Sequence, residues 1–153
     1  MRRRAALSFI VACTLSACAH QQTPAALPGM AWSLHEVEGE GAKLAFGQPQ
    51  SDNVVLMLSC APGSGEVLVS ANAGPDARPE LELASGSRST RYRAEVAPSL
   101  GEGVLVEAIA PVRDPVLQRF ADSGDLAVGV NGRRTPVPGD KAKARQFLTS
   151  CRA

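Results

Sequence analysis

From residue 30 onward the chain falls into short stretches with an apolar residue at every second position, each bounded by clusters of Gly, Pro, Asn, Asp or Ser. A period of two is the repeat of a strand with one buried and one wet face. Leu44 and Phe46 alternate with Lys43 and Ala45, Leu81 and Leu83 with Glu80 and Glu82, and Tyr92, Ala94 and Val96 with Arg91, Arg93 and Glu95. Residues 54–58 are apolar on both parities, which predicts a central strand covered on both sides. Further strands are predicted over 31–36, 66–70, 104–109 and 126–130. Asn131-Gly132 is the dipeptide of a type I′ hairpin, where both positions need positive φ. It returns the chain through 133–137, and Pro136, lacking an N–H, confines that strand to a sheet edge.

Two helices interrupt this pattern. Asp114-Pro115 sets an N-cap before a proline at the first helical position, Val116, Leu117, Phe120 and Ala121 then share a face, and Gly124 is placed to end the turn. A second helix is predicted over 140–150, with Ala144, Phe147, Leu148 and Cys151 at helical spacing on one stripe. The fold expected is mainly β: an antiparallel β-sandwich or barrel of about eight or nine strands with two short helices, one C-terminal. The length of 153 residues suits one domain, and no internal repeat divides it.

The first residues follow other rules. Arg2, Arg3 and Arg4 precede an apolar stretch over 5–12 that continues through Thr14 and Leu15 to small residues, the anatomy of a secretory signal. Leu15-Ser16-Ala17-Cys18 resembles a bacterial lipobox. The resemblance implies cleavage before Cys18 and acylation of its thiol. Ile10-Val11-Ala12-Cys13 fits the motif loosely, but cleavage there leaves a very short apolar region, so Cys13 is assigned to the discarded peptide. The expected organisation is a signal peptide over 1–17, a lipidated tether over 18–29 and a single β-rich domain over 30–153. The tether, HQQTPAALPG after Cys18 and Ala19, is polar, proline-containing and aperiodic.

Lipidation determines the membrane expectation, because no run reaches the roughly 18 to 20 apolar residues of a spanning helix. Each buried methylene contributes about 0.8 kcal/mol and stable anchoring takes more than one chain. The lipoprotein resemblance implies three chains. Ala19 stands where an aspartate would signal inner-membrane retention in enteric lipoproteins, so the resemblance implies an outer-membrane anchor facing the periplasm. Loss of the signal also removes three of the sixteen basic residues, turning a formal net charge of +1 into 13 basic against 15 acidic side chains. That balance does not suit a polybasic nucleic-acid binder.

Of four cysteines, Cys60 and Cys151 then remain, and an oxidising periplasm favours joining them. Two separate buried thiols or a reactive or metal-binding pair are the alternatives. A redox pair would want CxxC spacing, which is absent.

The residues present no catalytic motif and imply no cofactor. His20 and His35 are the only histidines; His20 lies in the tether, and His35 has no G-x-S-x-G elbow to serve, so it reads as a strand-face or edge residue. No cluster has zinc-ligand or EF-hand spacing. Pro62-Gly63-Ser64-Gly65 lacks the Gly-Lys-Ser/Thr ending of a phosphate loop and reads as a hairpin turn. Trp32 reads as a core plug. Glu80 and Glu82 against Arg91, Arg93 and Glu95 read as the solvated face of a hairpin around Ser85-Gly86-Ser87, with charges paired across strands. If the domain has a ligand surface it is here: Arg91 and Arg93, joined by Arg88, Arg133 and Arg134, make a basic patch suited to phosphate or carboxylate.

Two further resemblances concern the domain. Residues 114–130 (DPVLQRFADSGDLAVGV) with Phe147, Leu148 and Cys151 resemble small secreted β-sandwich proteins such as the invasion-associated locus B family, over about a third of the chain and without that family's additional cysteines. Leu83-Ala84-Ser85-Gly86 resembles the segment with which periplasmic inhibitors of C-type lysozyme engage their enzyme, although Arg91-Tyr92 lies several residues beyond Ser85-Gly86. The expected function is that of a non-enzymatic, lipid-anchored envelope lipoprotein that binds or scaffolds a periplasmic component, with another envelope protein as partner. A periplasmic inhibitor of a cell-wall hydrolase, or an enzyme with an unrecognised site, are the alternatives.

Overall fold

Every alternating stretch forms a strand in the computed structural model, which describes residues 29–99 and 101–152. The signal segment, Cys18 and the tether as far as residue 28 lie outside the described residues. The strands are β1 (Ala31–Val37), β2 (Gly41–Gly47), β3 (Val54–Cys60), β4 (Glu66–Ala73), β5 (Glu80–Ser85), β6 (Arg88–Pro98), β7 (Val104–Pro111), β8 (Leu126–Val130) and β9 (Arg133–Val137). Helix α1 (Pro115–Ser123) joins β7 to β8, and α2 (Lys141–Ser150) follows β9. All strand pairs are antiparallel in one sheet of order β1-β2-β3-β4-β7-β6-β5-β8-β9. Strands β5 to β7 run as a meander with β4 returned beside β7, a Greek-key arrangement. The sheet curls into a half-barrel.

The concave side of that curl holds the core. Leu44, Leu56, Leu58, Val67, Val69, Val106, Leu81 and Leu83 point inward and are fully buried. The helices supply the other half: α1 lies against β5 and β6, α2 against β1 and β2, and each against the other. Phe120 and Leu117 of α1 and Phe147 and Leu148 of α2 are buried there. Trp32 is the plug expected of it. Its ring packs on Phe46 and Phe120 at centroid distances of 5.4 and 5.7 Å, and its Nε1–H donates to Pro138 O at 2.6 Å. The first strand is thereby fastened to the segment leaving the last, as the tilt of strands in a barrel brings opposite ends of the edges together.

Both helices begin where the sequence predicts, α1 with its expected cap at Asp114 and α2 with a cap at Asp140 that the structure adds. Asp114 accepts the Val116 N–H, and Asp140 accepts the Lys143 N–H. Gly124 ends α1 at φ 82°, and a Cβ built there would stand 2.6 Å from the Lys141 nitrogen. Glycine is thus required twice over, by a left-handed backbone and by close approach of the two helices. Asn131 and Gly132 form the β8–β9 hairpin at φ 54° and 75°, and β9, with Pro136, lies at the edge.

The expectation for residues 54–58 needs correction. Leu56 and Leu58 are buried, but Val55 and Met57 are only half-buried, because the outer face of this single sheet has no second layer among the described residues. The neighbouring outer residues Leu68 and Ile109 are likewise exposed. Val96 shares the parity of Tyr92 and Ala94 yet lies exposed near the end of β6. The Tyr92 hydroxyl is buried without a hydrogen-bond partner, and burial, reinforced by the Asp114 carboxylate, pushes its ionisation upward.

Cys60, at the end of β3, is joined to Cys151, the C-cap of α2, with Cα atoms 5.6 Å apart across a sequence separation of 91. Closing a loop of that size stabilises the fold by about 4 to 5 kcal/mol in the chain-entropy model. Reduction is therefore expected to lower the unfolding free energy by about that amount, and urea melts with and without dithiothreitol check it. Gly124→Ala is expected to cost about 1 to 3 kcal/mol from the left-handed backbone alone, with the clash at Lys141 adding to it, as a fall in the urea midpoint.

Candidate functional site

Strand parity sorts the arginines of the expected patch. Register places Glu80 opposite Arg93 and Glu82 opposite Arg91 on β5 and β6, and Glu82 also pairs with Gly129, which pairs with Arg134. Arg91, Arg93 and Arg134 therefore share the outer face with Glu80 and Glu82. Arg88 is registered with Ser85 and Arg133 with Val130, so both belong to the opposite parity, and the five arginines do not gather as one patch. The residue alternation of antiparallel strands causes the separation.

At the centre of this charged cluster is Glu82, whose side chain is only 10% exposed. Arg134 hydrogen-bonds and ion-pairs with it, while the Arg91 Nε lies 4.0 Å from Glu82 and 3.9 Å from Glu80. Arg134 reaches Glu82 across β8 because residue 129 is glycine: a Cβ there would lie 3.0 Å from the Glu82 Cβ and 3.5 Å from the Arg134 Cγ. Sequence reasoning missed this bridge, although a glycine inside the apolar strand LAVGV signals close approach of another group. Hydrogen bonding by Arg134, with the Arg134 and Arg91 charges, holds the Glu82 carboxyl below its ordinary value. Asp140 is likewise held low, by hydrogen bonds from Lys143.

Beside this cluster lies a groove of about 500 Å³. Ala84, Ala127 and Pro136, registered side by side on β5, β8 and β9, line it as small apolar groups. Arg134 lines it as a cation and Asp125 as an anion, with Pro138 and Gly139 completing the rim. At the rim Asp125 N–H donates to Ser123 Oγ, and Gly139 packs closely, a Cβ there standing 3.0 Å from Asp125 Oδ1 and from the Gly124 carbonyl.

The other predicted residues are placed as follows. Cys60 and Cys151 are bonded to each other and face the core, away from the groove. His35 sits on the edge strand β1 opposite Lys43, and residues 62–65 form the turn between β3 and β4. Ser85 is almost fully buried, with its Oγ 3.3 Å from Ser123 Oγ; it and the exposed Gly86 both line the groove. Cys18 lies outside the described residues. No protein-family model, no curated protein and no solved structure matches this chain.

The Glu82 cluster makes stability depend on pH. A carboxyl whose folded pKa is depressed stabilises the fold fully above its unfolded value, here 4.5, and ceases to as the pH falls through the folded value. Thermal melts are therefore expected to show Tm falling below pH 4.5, and Glu82→Gln, which has no proton to take up, is expected to flatten that acid limb. An acid limb unchanged in Glu82→Gln would assign the effect to other carboxylates, Asp140 first.

Proposed function

We propose that the chain is a non-enzymatic, lipid-anchored lipoprotein of the bacterial cell envelope, held in the outer membrane through Cys18, whose β domain binds or scaffolds another periplasmic component. The observation that carries the address is Leu15-Ser16-Ala17-Cys18 behind three arginines and an apolar stretch. The Cys60–Cys151 bond supports it, because a disulfide of this span persists in an oxidising compartment. No helix among the described residues is long and apolar enough to cross a membrane.

The binding role is supported by the outer face. A carboxylate shared by two arginines beside a groove of small apolar side chains offers both charge and shape to a partner. Inhibition of a hydrolase through the Ser-Gly pair is the weaker reading, since Ser85 is turned inward against Ser123.

Metabolic labelling with a palmitate analogue is expected to mark the wild-type protein in the membrane fraction and to leave Cys18→Ser unlabelled and soluble. A wild-type protein recovered unacylated from the periplasm would overturn the anchor.

A further inference from the structure

The groove beside Arg134 differs at its two ends. Asp125 lines one end, with no cationic partner among the described residues. At the other, Arg134 spends one amino group on Glu82 and keeps a half-exposed guanidinium, whose fork carries five donors. Between them lie Ala84, Ala127 and Pro136, with no charge and little bulk.

The spacing follows from the strand. Asp125, Ala127 and Gly129 succeed one another at two-residue intervals into β8, and Arg134 is registered beside Gly129. Four residues of extended chain span about 13 Å. A ligand matched to both ends presents an anion and a cation at a separation of that order, set by the backbone positions of residues 125 and 129, joined by an apolar middle. A fatty carboxylate would satisfy Arg134 but lay its tail against the Asp125 carboxylate, and a phosphate would satisfy Arg134 and leave the rest of the groove unfilled. An extended peptide advances about 3.3 Å per residue, so three or four residues bring a free amine and a free carboxylate to the two ends.

We propose that this groove binds a short linear peptide of three or four residues with small apolar side chains, its carboxylate on Arg134 and its amine on Asp125. The inference names a ligand class for the binding role proposed above and rests on that reading. Glu82 fixes the Arg134 guanidinium before the ligand arrives, which lowers the ordering cost of binding. Ala127 and Pro136 give the groove an apolar floor against which small apolar side chains pack.

The test is calorimetric titration of the full, disulfide-bonded chain in mild detergent with trialanine and tetraalanine. Saturable binding is expected, weakened about tenfold by N-acetylation or by C-terminal amidation, as the loss of one charge-assisted hydrogen bond requires. Arg134→Gln is expected to weaken the free peptide similarly and to remove the further effect of amidation. Asp125→Asn, a change at an exposed side chain, is expected to remove the effect of acetylation, and it keeps the test valid if Arg134→Gln unfolds. Absence of saturable binding by both peptides, or affinities indifferent to blocking and to both substitutions, would overturn the proposal. Titration requires no membrane: acylated protein that ignores the peptides sinks the groove alone, and unacylated protein that binds them sinks the anchor alone.

Discussion

One side chain ties the two edges of the half-barrel together. Trp32 packs its ring on Phe46 of the neighbouring strand and on Phe120 of α1, and gives its N–H to Pro138 beyond the last strand. A sheet of nine strands in a single curl has two free edges and an open concave face, each costly in water. The indole meets both demands together: it is apolar against the core and polar at its one exposed need, the carbonyl of the opposite edge. The helices follow from the same constraint. With no second sheet to cover the inner face, α1 and α2 bring Phe120, Phe147 and their neighbours into the curl, and the Cys60–Cys151 bond fastens the end of α2 to β3.

This arrangement explains what could be read from the sequence. Period-two stretches, the Asn131-Gly132 turn and the cap at Asp114 depend on residues a few positions apart, where local sterics and hydrogen bonds dominate. The order of strands does not. That β4 pairs with β7 and β5 with β8 depends on contacts between residues tens of positions apart, which alternation leaves degenerate because every alternating strand presents the same apolar face. The over-reading of residues 54–58 has the same origin: Met57 is apolar, but its burial depends on whether a second layer exists, and the curl leaves its side of the sheet uncovered.

The charged surface was half legible. Cross-strand pairing of Glu80 and Glu82 with Arg91 and Arg93 follows from two alternating stretches joined by a tight turn, and the structure has that register. The position of Arg134 was not legible, because it depends on β8 lying between β5 and β9 and on Gly129 leaving space above the backbone. Arginines close in sequence, 133 and 134, face opposite ways, whereas 91 and 134 meet at one carboxylate. Chemistry on a sheet surface is assembled by register, and composition alone overstates how many cations can act together.

Groove and closure share their parts, which sets how the site can respond. Pro138, which receives the Trp32 bond, also lines the groove, and Gly139 packs on Asp125 and Gly124 at the junction of the two helices. A ligand there would contact the same segment that joins the sheet's edges. The first described residues enter β1 immediately before Trp32, beside that segment. Arg134 lines the same groove from β9, the strand that runs directly into Pro138, so the Glu82–Arg134 bridge and the Trp32–Pro138 bond fasten one strand and the segment that leaves it.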